Sequence, residues 1–351
     1  MSDPRSILLI RPSALGDVCR TVPLVASLNA SFPDADVDWL VHSSFVDAVR
    51  HHPGVRRAIP FRRSALGKRW PLSNRGRAVF FELVQSLREP KYDLVVDAQG
   101  LGRSGLFTRL TGARRRIGHA DAREFGWLGA NERIRVDRSI THTVDRMLAL
   151  LDGAGIPPVH DMRLYTCDDD RALVRRLVGS VRYAVVAPTS RWAGKRWPEE
   201  RFERVIDALL DAPSIDRVVI VASAGERDQC ARLCARATDD ERVVDLVGKT
   251  SVGGLMAVIE GARFVLANDS APLHMAVGFD RPLVALFGPT HIDEVGPYRR
   301  ESDVLQSAPP APGITHKDDE AGRAMMAQIS TEQVVEACLE RLEAHAPEAA
   351  V

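Results

Sequence analysis

Short runs of Val, Ile and Leu recur along this chain, each followed by a turn and then by apolar residues at helical spacing. The runs show little alternation, so both of their faces must be covered, as in a parallel sheet between two helical layers. Ser6–Ile10 is the first, followed by a turn at Pro12–Asp17 and a helical stripe over Cys19–Ser31. Val37–Val41 and Asp93–Gln99 are further strands, followed by helices at Phe45–Arg50 and Arg103–Thr111. The Arg- and Gly-rich stretch 112–140 predicts mostly loop. His142–Asp152 carries Val144, Met147, Leu148 and Leu151 on one helical face, and Gly155-Ile-Pro-Pro158 ends it.

A second series begins with a strand at Tyr183–Ala187 and a helix over Pro198–Asp211, opened by its proline. Strands at Arg217–Ser223, Val243–Val247, Phe264–Asn268 and Pro282–Phe287 follow. Helices over Glu226–Ala237, Val252–Gly261 and Ala271–Val277 lie between them. Such alternation implies right-handed crossovers. The reading is α/β, two doubly wound parallel-sheet halves joined near residues 155–182. Ala308–Gly313 reads as a linker or flexible loop before a last helix, Thr331–Glu343.

A chain of 351 residues exceeds what one core usually serves. Its net charge of zero conceals two opposed halves. Residues 1–165 hold 25 Lys and Arg against 17 Asp and Glu, and residues 166–351 hold 22 against 30. Different partners for the two halves follow. No apolar run reaches the length of a membrane span, and Ile7–Ile10 is too short for a signal peptide, so cytoplasmic residence is expected. The five cysteines include no CxxC pair. Cys230 and Cys234 share a helix face but lack further ligands for zinc, and free thiols are expected.

Open parallel sheets bind ligands beyond the carboxyl ends of their strands, so the loops after strands carry the chemistry. The first is Arg11-Pro-Ser-Ala-Leu-Gly-Asp17, where Gly16 permits a bend and Asp17 stands at the mouth of the sheet. Asp17 can cap the following helix, bind ligand, or both. The second, Pro188–Pro198, holds Thr189, Ser190 and three cations before a helix N-terminus, a combination suited to a diphosphate. Lys195 is the phosphate contact expected there. The third is Asn268-Asp-Ser-Ala-Pro-Leu-His274. The N–H groups of Ser270 and Ala271 would face an anion, Asp269 could cap or bind, and His274 lies about one turn in. Phe287-Gly-Pro-Thr290 suits a close backbone approach. Neither GxGxxG after the first strand nor GxxxxGK[ST] occurs, which argues against the usual dinucleotide and P-loop sites.

Together these loops resemble glycosyltransferase family 9, the ADP-heptose:lipopolysaccharide heptosyltransferases. Ser13-Ala-Leu-Gly-Asp17, Tyr92–Leu101 with its Asp-Ala-Gln-Gly, and Arg116-Ile-Gly-His are similar to the family's segments. So are Ala122-Arg-Glu124, Asn131-Glu-Arg133, His142–Arg146, Lys195-Arg-Trp-Pro198, Asn268–His274 and Phe287-Gly-Pro-Thr290. The resemblance spans nearly the whole chain. One departure is Ala324-Met-Met-Ala-Gln328, where the family often has cysteine.

The resemblance implies a GT-B fold, two Rossmann-like domains facing a cleft. Residues 1–165 would bind acceptor, 176–325 would bind the nucleotide sugar, and 326–351 would form a helix crossing back to the first domain. It makes Asp17 the general base, with Lys195 also catalytic. Thr189, Ser190, Lys195, Asp269, Ser270, Ala271 and His274 would hold the donor diphosphate, and Glu226 its ribose or base. Ser13, Gly16, Gln99 and Arg123 would lie on the acceptor side. The implied reaction is an inverting, metal-independent transfer of heptose from ADP-heptose. ADP-sugar is a substrate and no cofactor is called for.

Ala48–Phe81 contains nine Lys and Arg, two His and no acid, interleaved with Phe61, Leu66, Trp70 and Leu72. Cations mixed with apolar groups suit an anionic glycolipid such as the Kdo–lipid A region of lipopolysaccharide, with Arg62, Arg63 and Arg69 as acceptor contacts. A monomer touching the inner face of the cytoplasmic membrane is expected, with no nucleic-acid partner. The competing readings are a GT-B epimerase, a transferase with another donor, a non-catalytic nucleotide-sugar binder, and a nucleic-acid binder using the basic run.

Overall fold

The structure is a computed structural model that describes residues 3–66 and 73–345. Arg69, with Lys68, Trp70 and Leu72, lies outside the described residues. The chain divides into two units, Met1–Tyr165 and Thr166–Val351.

The first unit contains β1 (Ser6–Ile10), β2 (Asp36–His42), β3 (Arg57–Phe61), β4 (Leu94–Asp97), β5 (Arg115–His119) and β6 (Glu132–Ile134). They form one sheet in the order β3-β2-β1-β4-β5-β6, every pair parallel. The second unit contains β7 (Tyr183–Ala187), β8 (Arg217–Ile220), β9 (Val243–Asp245), β10 (Phe264–Asn268), β11 (Leu283–Phe287) and β12 (Val304–Gln306). Their order is β12-β11-β10-β7-β8-β9, again all parallel. Read from each unit's own first strand, both sheets run 3-2-1-4-5-6, the doubly wound order. The central strands are buried along their whole length, as runs without alternation require.

Several elements differ from the sequence reading. The stretch 112–140 is mostly irregular, as expected, but it also supplies the short strands β5 and β6. The basic run holds strand β3 and the helix Asn74–Arg88, whose Leu83 and Leu87 pack into the first core beside Leu8, Ile10 and Phe107. Two further helices, Asp168–Val178 and Asp319–Gln328, were not expected. The single helix expected over Cys19–Ser31 is two, Leu15–Arg20 and Val22–Ser31, with Pro23 near the start of the second. The last helix, Thr331–Ala344, buries Val334, Cys338 and Leu342 in the second unit's core with Phe202, Val205 and Leu286. Among the described residues, no helix is long and apolar enough to cross a membrane.

Candidate active site

In each sheet the connections leave strands 1 and 4 toward opposite sides, which opens a crevice at their carboxyl ends. The candidate residues of the first unit gather there. Asp17 does not sit in a turn ahead of the helix. It occupies the first turn of Leu15–Arg20, and Ala14 is the N-cap. The Ala14 N–H donates to Asp17 Oδ2 at 3.0 Å, so the carboxylate reaches back to satisfy a free amide. Gly16 takes no left-handed conformation in that turn, so the bend expected of it is not what it supplies.

Two arginines flank the carboxylate. Arg11 Nη2 lies 3.3 Å from Asp17 Oδ1, and Arg20 donates to the same oxygen. Burial opposes ionisation of Asp17, but the charges of Arg11 and Arg20 and the Ala14 N–H outweigh it. The carboxyl is held well below the usual carboxylate range, so it is ionised at any physiological pH. Both arginines are buried.

The loop after β4 joins this group. The Ser13 N–H donates to Gln99 Oε1 at 3.2 Å. Asp97, at the end of β4, accepts the Gln99 and Gly100 N–H groups at 3.0 and 3.1 Å and the Ser104 hydroxyl at 2.9 Å. Burial nevertheless pushes its carboxyl up to about 6. The Gly100 carbonyl accepts the Arg123 N–H at 3.0 Å. Arg11, Gln99, His119, Arg123 and Arg146 line a cavity of about 270 Å³. Among the described residues, His119 Nδ1 is buried there with no hydrogen-bond partner, and burial lowers the imidazole to about 4. His119 and Arg146 had been seen only as parts of matching segments. Arg62 and Arg63 stand apart from this group. Both are exposed after the edge strand β3, and Arg62 lines a second cavity with Ile59, Phe61 and Leu83.

The second unit repeats the arrangement at β7 and β10. Thr189 and Ser190 are buried after β7, and the Ser190 hydroxyl donates to the Asp269 carbonyl at 3.3 Å. Asn268 ties the two loops together, donating from Nδ2 to the Pro188 carbonyl at 2.6 Å. Lys195 Nζ lies 2.6 Å from Asp269 Oδ2, and their side chains are 12% and 7% exposed. Asp269 therefore holds the ammonium rather than capping a helix. Ser270 is the N-cap of Ala271–Gly278, but its hydroxyl turns back to the Asn268 carbonyl at 3.2 Å. The first-turn amides of Ala271 onward are thus not capped by that side chain, the state an anion-binding terminus needs. His274 is buried one turn in. Glu226 follows β8, where its carboxylate accepts the Ser223 N–H at 3.1 Å and the Ser223 hydroxyl at 2.6 Å. Cys230 and Cys234 are free thiols with sulfurs 4.0 Å apart.

The helix Asp319–Gln328 underlies the Lys195 loop, and the sequence reading missed it. Asp319 Oδ1 accepts the Gly194 N–H at 3.1 Å. A Cβ on Gly322 would fall 2.6 Å from Gly194 Cα, so only glycine allows this approach. Gly288 of the Phe287–Thr290 loop packs against Met326 of the same helix, the close approach expected there. His316 stacks edge-on to Trp192 with ring centroids 5.1 Å apart.

A sequence profile described as glycosyltransferase family 9 (heptosyltransferase) matches residues 80–322. The chain belongs to that family. Lipopolysaccharide heptosyltransferase 1 of Pseudomonas aeruginosa is 30% identical over 308 residues, 86% of this chain and 83% of the relative. Among solved structures, E. coli ADP-heptose lps heptosyltransferase II superposes with a TM-score of 0.78 at 23% identity, covering 97% of this chain and 100% of the other. E. coli heptosyltransferase WaaC with ADP-2-deoxy-2-fluoro heptose gives 0.75 at 24%, covering 95% and 99%. The fold of this glycosyltransferase is thus the GT-B fold of those heptosyltransferases.

Proposed function

We propose that this glycosyltransferase moves heptose from ADP-heptose to a hydroxyl of a lipopolysaccharide inner-core acceptor, with inversion, at the inner face of the cytoplasmic membrane. The observation that carries this reading is Asp17, a carboxylate kept ionised by Arg11 and Arg20 at the strand ends of the first unit. The acceptor oxygen attacks the anomeric carbon as the bond from that carbon to the diphosphate oxygen breaks. ADP departs with the bonding electrons, and Asp17 takes the hydroxyl proton. A carboxylate of such low basicity accepts the proton late, once bond formation has made the hydroxyl acidic.

Lys195 and the amides at the start of Ala271–Gly278 are placed to neutralise the leaving diphosphate, with Thr189, Ser190 and His274 beside them. For the acceptor, Arg11, Arg123 and Arg146 around the His119 cavity suit an anionic saccharide, and Arg62 and Arg63 suit headgroup phosphates. Because the neutralising charges are the protein's own, we infer transfer without a metal, and turnover in EDTA should equal that in its absence. Asp17→Asn should lower turnover by roughly 10²–10⁴ while leaving ADP affinity unchanged. Near-parental turnover in that variant would remove Asp17 from the mechanism.

A further inference from the structure

The first unit carries a ridge of large apolar side chains on a rigid support. The helix Gly102–Leu110 and the turn Gly126–Leu128 meet backbone to backbone. A Cβ on Gly105 would lie 2.2 Å from the Gly126 carbonyl oxygen, and one on Gly129 would lie 2.1 Å from the Gly105 oxygen. The preceding Glu124 and Phe125 both take left-handed conformations, with φ of +53° and +60°, which residues bearing a Cβ rarely adopt. The Glu124 carboxylate locks this bend by accepting the Gly102 N–H at 3.2 Å.

The interlock leaves the side chains nowhere to go but outward. Phe125 is 73% exposed and Leu128 57%. Leu106, exposed at 43%, shares the helix face of Gly102 and Gly105 on which the turn sits. Holding such groups in water on a fixed frame is unfavourable unless something covers them. The surroundings say what. Arg109, Arg123 and Arg133 are exposed beside the ridge, and Arg133 lies over the Trp127 ring, 4.6 Å from its centroid. Glu124 is committed to the Gly102 amide. Protruding aromatic and aliphatic groups set among arginines match the boundary between anionic headgroups and acyl chains.

We propose that this ridge docks the first unit on an anionic lipid bilayer. Phe125 and Leu128 enter the acyl boundary, while Arg109 and Arg133 meet headgroup phosphates. The inference rests on the membrane contact proposed above, and moves its centre from Arg62 and Arg63 to residues 103–133.

Co-sedimentation of the full chain with vesicles tests it. The parent should bind vesicles of phosphatidylcholine with phosphatidylglycerol and not those of phosphatidylcholine alone. Phe125→Ser combined with Leu128→Ser should lower the partition coefficient about tenfold. Phe125→Leu, which keeps the apolar surface, should stay within about twofold of the parent. Unchanged melting temperatures would show that each variant folds. Equal binding by the parent and the double Ser variant would overturn the proposal, as would a parent that ignores anionic vesicles or binds both kinds equally. Loss in Phe125→Leu as large as in the Ser variant would also count against it. These vesicles hold no saccharide, so failure here is distinct from failure of the transferase reading, which a detergent-dispersed acceptor tests.

Discussion

Replacing Lys195 by methionine tests the donor half of the site. The substitution keeps the aliphatic stem and deletes the ammonium 2.6 Å from Asp269 Oδ2. Asp269 would then be a carboxylate with only 7% of its side chain exposed and its cation gone. Removing one member of a buried pair costs about 3–5 kcal/mol, and the partial exposure of Lys195 places this case near 3. For a unit of this size, that lowers the melting temperature of the second unit by about 6–12 °C. Adding Asp269→Asn removes the orphaned charge and should recover most of that loss. Turnover should behave differently. If Lys195 acts on the leaving group as proposed, its loss lowers kcat by roughly 10²–10³, and the double variant cannot regain it. Scanning calorimetry of the parent, both single variants and the double, with single-turnover transfer from ADP-heptose, reads both quantities. If Lys195→Met melts with the parent, the pair carries no buried electrostatic strain. If the double variant recovers turnover, Lys195 does not act on the leaving group.

Other outcomes follow from the same geometry. Asp97 has its carboxyl raised to about 6 by burial. A carboxyl raised on folding favours the native state at pH below its unfolded value near 4, and that contribution is lost as pH climbs through 6. Asp97→Asn does not titrate, so its melting temperature should gain on the parent between pH 4 and 7, corresponding to roughly 3 kcal/mol; a gap independent of pH would contradict this. Gly322→Ala pushes a methyl to 2.6 Å from Gly194 Cα, where backbone must move. It should cost about 1–3 kcal/mol in the second unit and weaken ADP binding through the Lys195 loop. Unchanged ADP affinity by titration calorimetry would show that this helix does not position the loop.

The strands buried on both faces were legible in the sequence, and β7 and β10 fall where their apolar runs place them. Of the edge strands, β9 was legible and the others were not. Strand β3 contains Pro60 and lies among arginines, a composition that suits an edge but reads as loop. The helix Asn74–Arg88 opens on Asn-Arg-Gly-Arg and buries little besides Leu83 and Leu87. Strand β12 has three residues, too few for a period to show. Within the site, the hydroxyls and cations after strands were visible as chemistry. Their partnerships were not, because Lys195 and Asp269 are 74 positions apart and meet only once β7 pairs with β10. Arg20, three residues from Asp17, was within reach of helical spacing. Arg11 lies before that helix, at the end of the first strand, and no helical spacing links it to Asp17.

Both sheets run 3-2-1-4-5-6, and in both the chemistry hangs from the ends of strands 1 and 4. On the proposed function, four short connections would carry most of the substrate contacts, while the frame beneath them needs only apolar strands of the right length. A catalyst organised in this way is modular. Exchanging the segments around 11–17 and 98–101 should retarget the acceptor without touching the nucleotide, and exchanging 188–197 and 268–274 should do the converse.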